Sequence, residues 1–238
     1  MIGALAVVAV AVLSTAEAPA SATAPTTLSF SGRLWTIKSG TQRMGPGPNY
    51  FSARDAWVDG AGHLHLEITK VGTHWTVGEV YATRSLGYGT YTWVLGSRVD
   101  NLDPNMVLGL FTYADKRAFH HREIDIEASR WGNASDPTNA QFVVQPFAHA
   151  GNLRRITERA TLPTTLSFRW TATSLSFSAP GATPASWTYT GANRPPAGGE
   201  LADMNFWLND GHAPVHGVGS HVVIDSFTFT PARPFPGR

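Results

Sequence analysis

The chain has 238 residues, and 18 Lys and Arg against 17 Asp and Glu leave a formal net charge of +1. That balance makes no electrostatic case for a nucleic-acid partner or a polybasic membrane surface. There is no cysteine, which excludes disulfides, thiol catalysis and Cys-ligated zinc. The fold must therefore rest on its core, for which 8 Trp, 6 Tyr and 12 Phe supply large apolar area.

Residues 2–13 form an apolar run of signal-peptide length, short for a bilayer span. Ala20-Ser21-Ala22 fits an A-x-A cleavage site, although no Lys or Arg precedes the run. Residues 1–22 are thus expected to be an export leader, and residues 23–238 a single secreted domain that keeps no membrane contact after cleavage. Beyond the leader no helix of useful length is predicted. Short β-rich runs alternate with turn signals such as Gly45-Pro46-Gly47-Pro48-Asn49, Asp59-Gly60-Ala61-Gly62 and Asn209-Asp210-Gly211. His63–Ile68, Thr90–Val94 and Ile224–Thr230 alternate with period two, as half-buried strands do. The expectation is one all-β domain, a sandwich or barrel, whose proline-containing tail leaves the sheet after Thr230.

The stretch from His121 to Glu127 concentrates the chemistry. Glu123, Asp125 and Glu127 alternate with Ile124 and Ile126, so on a strand the three carboxylates share one face and the isoleucines enter the core. Cα atoms four residues apart lie roughly 13 Å from each other on an extended strand, and converging Glu side chains can close the carboxyl gap to about 5–6 Å. Retaining glycosidases hold their two carboxyls roughly 5–5.5 Å apart. Asp125, between them, could steer a shared proton. The alternative is an acidic face that is solvated or paired with Arg122 and Arg130.

Taken together, Gly78-Glu79, Leu86–Tyr91, Val107–Tyr113, Glu123–Glu127, Leu166–Phe177 and Met204–Trp207 resemble, in order, the conserved blocks of glycoside hydrolase family 16. The likeness is greatest to its lichenase and xyloglucan-active branches and spans about residues 34–229. It implies a jelly-roll β-sandwich of two packed antiparallel sheets with a concave cleft, and retaining, endo-acting cleavage or transglycosylation of a β-linked glucan. On this resemblance Glu123 falls on the nucleophile, Glu127 on the general acid/base and Asp125 on the carboxylate that assists them. An uninterrupted E-x-D-x-E motif implies β-1,4 bonds, as in mixed-linkage glucan or xyloglucan.

The same resemblance implies substrate contacts from Asn49, Glu79, Trp131, Gln141 and Trp207. It implies no cofactor for catalysis, though Asp225 falls near a position that helps hold a structural calcium in related enzymes. The sequence departs from the lichenase pattern at Tyr81, where an arginine is usual, and at Val143, where a sugar-binding asparagine is usual. The remaining expectations are a monomer whose partner is a polysaccharide and, as the alternative function, a glycan-binding protein without turnover.

Overall fold

A computed structural model of the chain describes residues 26–159 and 161–232; the expected leader, residues 1–22, lies outside them. In chain order, β1 (Thr27–Phe30) and β2 (Arg33–Ile37) form a hairpin, followed by β3 (Arg43–Met44), β4 (Asn49–Phe51) and β5 (Ala56–Val58). β6 (Leu64–Val71), β7 (His74–Ala82), β8 (Gly89–Leu95) and β9 (Met106–Tyr113) are longer. β10 (Ile124–Ala128), β11 (Ala140–Val144) and β12 (Leu153–Ile156) form a meander. β13 (Thr164–Trp170), β14 (Leu175–Ser178) and β15 (Ser186–Tyr189) form a second. β16 (Leu201–Leu208) and β17 (Ser220–Pro231) complete the set.

Pairing sorts the strands into two sheets. The concave sheet runs β1-β2-β7-β16-β9-β10-β11-β12, antiparallel throughout. The outer sheet runs β15-β14-β13-β8-β17-β6, with β5 and the first half of β7 sharing the free edge of β6. β7 belongs to both sheets and joins them at one side. This is a jelly-roll sandwich, the expected fold class.

The three strands read from alternation are present: β8 extends its run by one residue at each end, β6 begins at Leu64 and runs on to Val71, and β17 already begins at Ser220. Tyr91, Trp93 and Leu95 of β8 point inward while their neighbours do not, and Leu64, Leu66 and Ile68 of β6 do the same. Large rings fill the space between the sheets: Tyr91 lies 4.8 Å from Phe168, Trp93 5.4 Å from Phe227, and Phe142 5.0 Å from Phe177 between ring centroids. Such aromatic area substitutes for the absent disulfides. One boundary differs from expectation. β17 does not end at Thr230: Pro231 still pairs with Gly89, and the Ala232 amide donates to the Tyr88 carbonyl at 3.0 Å. A proline at the end of a strand removes only a donor the ladder can spare there.

Candidate active site

The concave sheet carries a cleft of about 720 Å³. Its floor is built from two cross-strand rows. One row is Tyr81, Asp203, Phe111, Asp125 and Val143; the other is Glu79, Asn205, Gly109, Glu127, Gln141 and Arg155. Ile124 and Ile126, on the opposite face of β10, are buried in the core at 0% and 2% exposure. The period-two reading of this strand therefore holds, with one correction at its start. His121 and Arg122 are not extended. They end a short 3-10 segment, and His120, His121 and Arg122 take φ of 48°, 59° and 52° before β10 begins at Ile124. Three successive left-handed L-residues are strained. They turn the chain so that Glu123 enters the cleft just ahead of the strand.

Neither arginine named by the solvated-face alternative pairs with the triplet. Arg122 lies 3.9 Å from the Glu200 carboxylate and stacks 4.1 Å over Phe119, while Arg130 donates to the Asp100 carbonyl at 3.2 Å. The three carboxyls are held differently. Gln141 Nε2 donates to Glu127 Oε2 at 2.7 Å, and Arg155 Nη1 donates to Gln141 Oε1 at 3.1 Å. Arg155 is itself anchored by Asp136, Thr138 and the Ser129 carbonyl. Gln145 Nε2 donates to Asp125 Oδ2 at 3.3 Å. Among the described residues nothing hydrogen-bonds the Glu123 carboxyl.

These differences order the proton affinities. Burial, then the charge of Glu127, pushes Glu123 up to about 8. Burial raises Glu127 to about 7, against the Gln141 hydrogen bond and the Arg155 charge, which favour its ionised form. Asp125, buried between two acids, is pushed well above the usual carboxylate range by burial and then by Glu123 and Glu127. Three crowded acids cannot all ionise, so the group holds protons near neutral pH.

The other expected residues fall into three groups. Glu79 and Trp207 line the cleft. Glu79 is buried, with Lys38 Nζ donating to it at 2.8 Å and Asn205 Nδ2 at 3.3 Å. Gln141 reaches the cleft through Glu127, as described. Asn49 and Trp131 stand behind its wall. Asn49 Nδ2 donates to the carbonyls of Pro46 and Leu208, and its Oδ1 accepts from the Leu208 amide, so its amide is fully engaged in tying the β3–β4 loop to β16. Gly47, at φ +57°, lets that loop close, because a Cβ there would meet Asn49, Leu208 and Trp207 within 3.3 Å. Trp131 packs edge-on against Trp207, 5.9 Å between centroids. Tyr81 lines the cleft, and Val143 lies opposite Asp125 with no exposed surface.

Asp225 lies at a register shift between β17 and β8, its carboxylate over Gly96. Among the described residues no three His, Asp or Glu side chains gather there or elsewhere as a metal site.

Sequence reasoning missed Lys38, Phe111, Arg155 and Asp203. Asp203 had a signal: it stands two before Asn205 in an alternating run, hence on the same face. Lys38 and Arg155 had none, because what each meets is decided across strands.

With the geometry in place, comparison with known proteins bears on the fold. No protein-family model matches the chain, and no curated protein is similar to it in sequence. Solved structures do match. A β-glucanase of Bacillus licheniformis superposes with a TM-score of 0.64 at 18% identity, over 83% of this chain and 92% of that one. A family 16 endo-glucanase of Bacteroides ovatus gives 0.58 at 12% identity, over 82% and 94%. The fold is that of solved family 16 glucanases. It is equally that of an immunostimulatory antigen and pseudo-β-1,3-glucanase of Mycobacterium tuberculosis, with a TM-score of 0.59 at 16% identity over 84% and 91%.

Proposed function

We propose that the chain is an exported, retaining endo-β-glucanase of the family 16 type, acting as a monomer on a polymer with β-1,4 bonds. The observation that supports this best is the acid triplet. Three carboxyls on β10 and just ahead of it lie along the floor of an open cleft, none forms an ion pair with an arginine among the described residues, and burial holds all of them high. A structural role would leave that arrangement costly and without return.

In this reading a β-linked sugar lies along the cleft with its anomeric carbon over Glu123. A Glu123 carboxylate oxygen forms a bond to that carbon as the glycosidic C–O bond breaks, and Glu127 gives its proton to the leaving oxygen. Glu127, now ionised, then takes a proton from water or from a sugar hydroxyl, and the resulting oxygen displaces Glu123. The first step needs charge on Glu123 and a proton on Glu127, the reverse of the preference in the free protein. Asp125, flanked by both, is the group through which that proton can shift as the sugar displaces water.

The test is product release from mixed-linkage glucan, xyloglucan and laminarin by residues 23–238 and by a Glu123→Ala variant. Oligosaccharides from the first and none from the second support the reading. Binding by both without products favours the second reading, a glycan-binding protein without turnover. The fold shared with a pseudo-glucanase keeps that second reading in play.

A further inference from the structure

The cleft floor holds one acid that the proposed chemistry does not use. Asp203 is 6% exposed, its Oδ1 has no hydrogen-bond partner among the described residues, and it lines the cleft. It occupies the same cross-strand row as Asp125, with Phe111 between them. Two strand spacings put it about 10 Å away, one sugar unit or two from the reacting pair. Burial and the nearby acids Glu79 and Glu123 hold its carboxyl well up. Among the described residues Lys38 is the one cation lining the cleft, and it is already committed to Glu79 and to the Gly45 carbonyl.

A buried polar atom without a partner costs about 1–3 kcal/mol, and nothing in the fold of β16 requires one at position 203. Ala202 and Met204 on its other face do the packing. The neighbouring Asn205 Oδ1 is likewise without a partner and buried, so two acceptors stand side by side on the floor waiting for donors. Hydroxyl groups of a sugar are donors of the right kind.

We infer that Asp203 is a substrate-binding residue that takes up a hydroxyl of a sugar next to the cleavage point. The inference rests on the cleft being a glucan site, as proposed above. It does not rest on turnover.

The experiment therefore measures binding, in a Glu123→Gln background that leaves the polymer intact. Affinity for mixed-linkage glucan is compared with Asp203 present, with Asp203→Asn and with Asp203→Leu. Asp203→Leu is expected to weaken binding of the neutral glucan roughly tenfold. Asp203→Asn keeps a hydrogen-bonding group, so it is expected to hold neutral affinity within about threefold. Both variants are expected to melt higher than the parent, which separates lost binding from lost folding. Neutral affinity unchanged by Asp203→Leu overturns the inference. So does a parent that binds no neutral glucan. Failure of the hydrolase reading shows differently, as wild-type binding without products.

Discussion

The two sheets use burial in different ways. Along β8 and β13 of the outer sheet, buried residues alternate with partly exposed ones, so one face is core and the other is solvent. Along β9, β11 and β16 of the concave sheet nearly every residue is buried. Their second face is nevertheless not a core, since it presents Gln141, Asp203 and Asn205. Burial of polar groups without packing against apolar ones marks a cleft, where side chains are screened from water but keep hydrogen-bonding capacity for something else. Gly109 shows the same logic in miniature. A Cβ there would come within 2.4 Å of Asn205 Oδ1, so the floor is cut down at its centre, beside Glu127.

The contrast is broken most sharply on β10, where the two kinds of face lie back to back. Glu123→Ala should lower kcat on the order of 10⁴-fold and leave stability unchanged or improved, because a buried acid with no partner is removed. Ile126→Ala should do the opposite. It empties core volume and should cost about 2–4 kcal/mol, with kcat of the folded protein little changed. Urea unfolding beside product release on both variants tests the pair. A large kcat loss in Ile126→Ala at full folding would show that the two faces are not independent.

A smaller effect sharpens the role of the Gln141–Arg155 chain. With acids at about 7 and about 8, activity needs one proton and one charge in the pair, so kcat/KM should be bell-shaped with its maximum between those limits. Gln141→Ala removes the bond that favours ionised Glu127. The alkaline limb should then move to higher pH and the maximum should fall roughly 10- to 100-fold. A profile that keeps its limbs while losing height would reduce Gln141 to a packing role.

The smallest effect concerns a buried acid far from the cleft by function. Glu158 is 3% exposed, and burial lifts it to about 7. Its folded form holds a proton more tightly than its unfolded form. The stability it lends is complete below the ordinary carboxylate range and is lost as pH rises through 7. Glu158→Gln should therefore stabilise the protein by about 2 kcal/mol at pH 8 and by nothing measurable at pH 4. Thermal melts at the two values test this, and equal shifts at both would refute it.

Much of this was legible in the sequence. Alternation located β6, β8, β10 and β17, because the side-chain period of two is a property of the extended backbone and survives any tertiary context. The same period put Glu123, Asp125 and Glu127 on one face, and it also carried Asp203 beside Asn205. It did not show the left-handed turn at 120–122. That turn is imposed on residues of no special propensity by the need to enter β10 from the cleft rim.

Asn49 makes the complementary point. The family resemblance implied a contact with sugar there, and turn chemistry offered a second account of the residue; in the structure its amide closes a loop against Leu208, 159 residues away. What the sequence alone determined is therefore the class of fold and which side chains share a strand face, since both follow from local backbone geometry. Only the tertiary structure decided which group stands opposite which acid: Gln141 and Arg155 behind Glu127, Lys38 on Glu79, Asp203 in line with Asp125 and without a partner. Those pairings depend on strand register, and register is set by the packing of two sheets across a core whose contributing residues lie far apart in the chain.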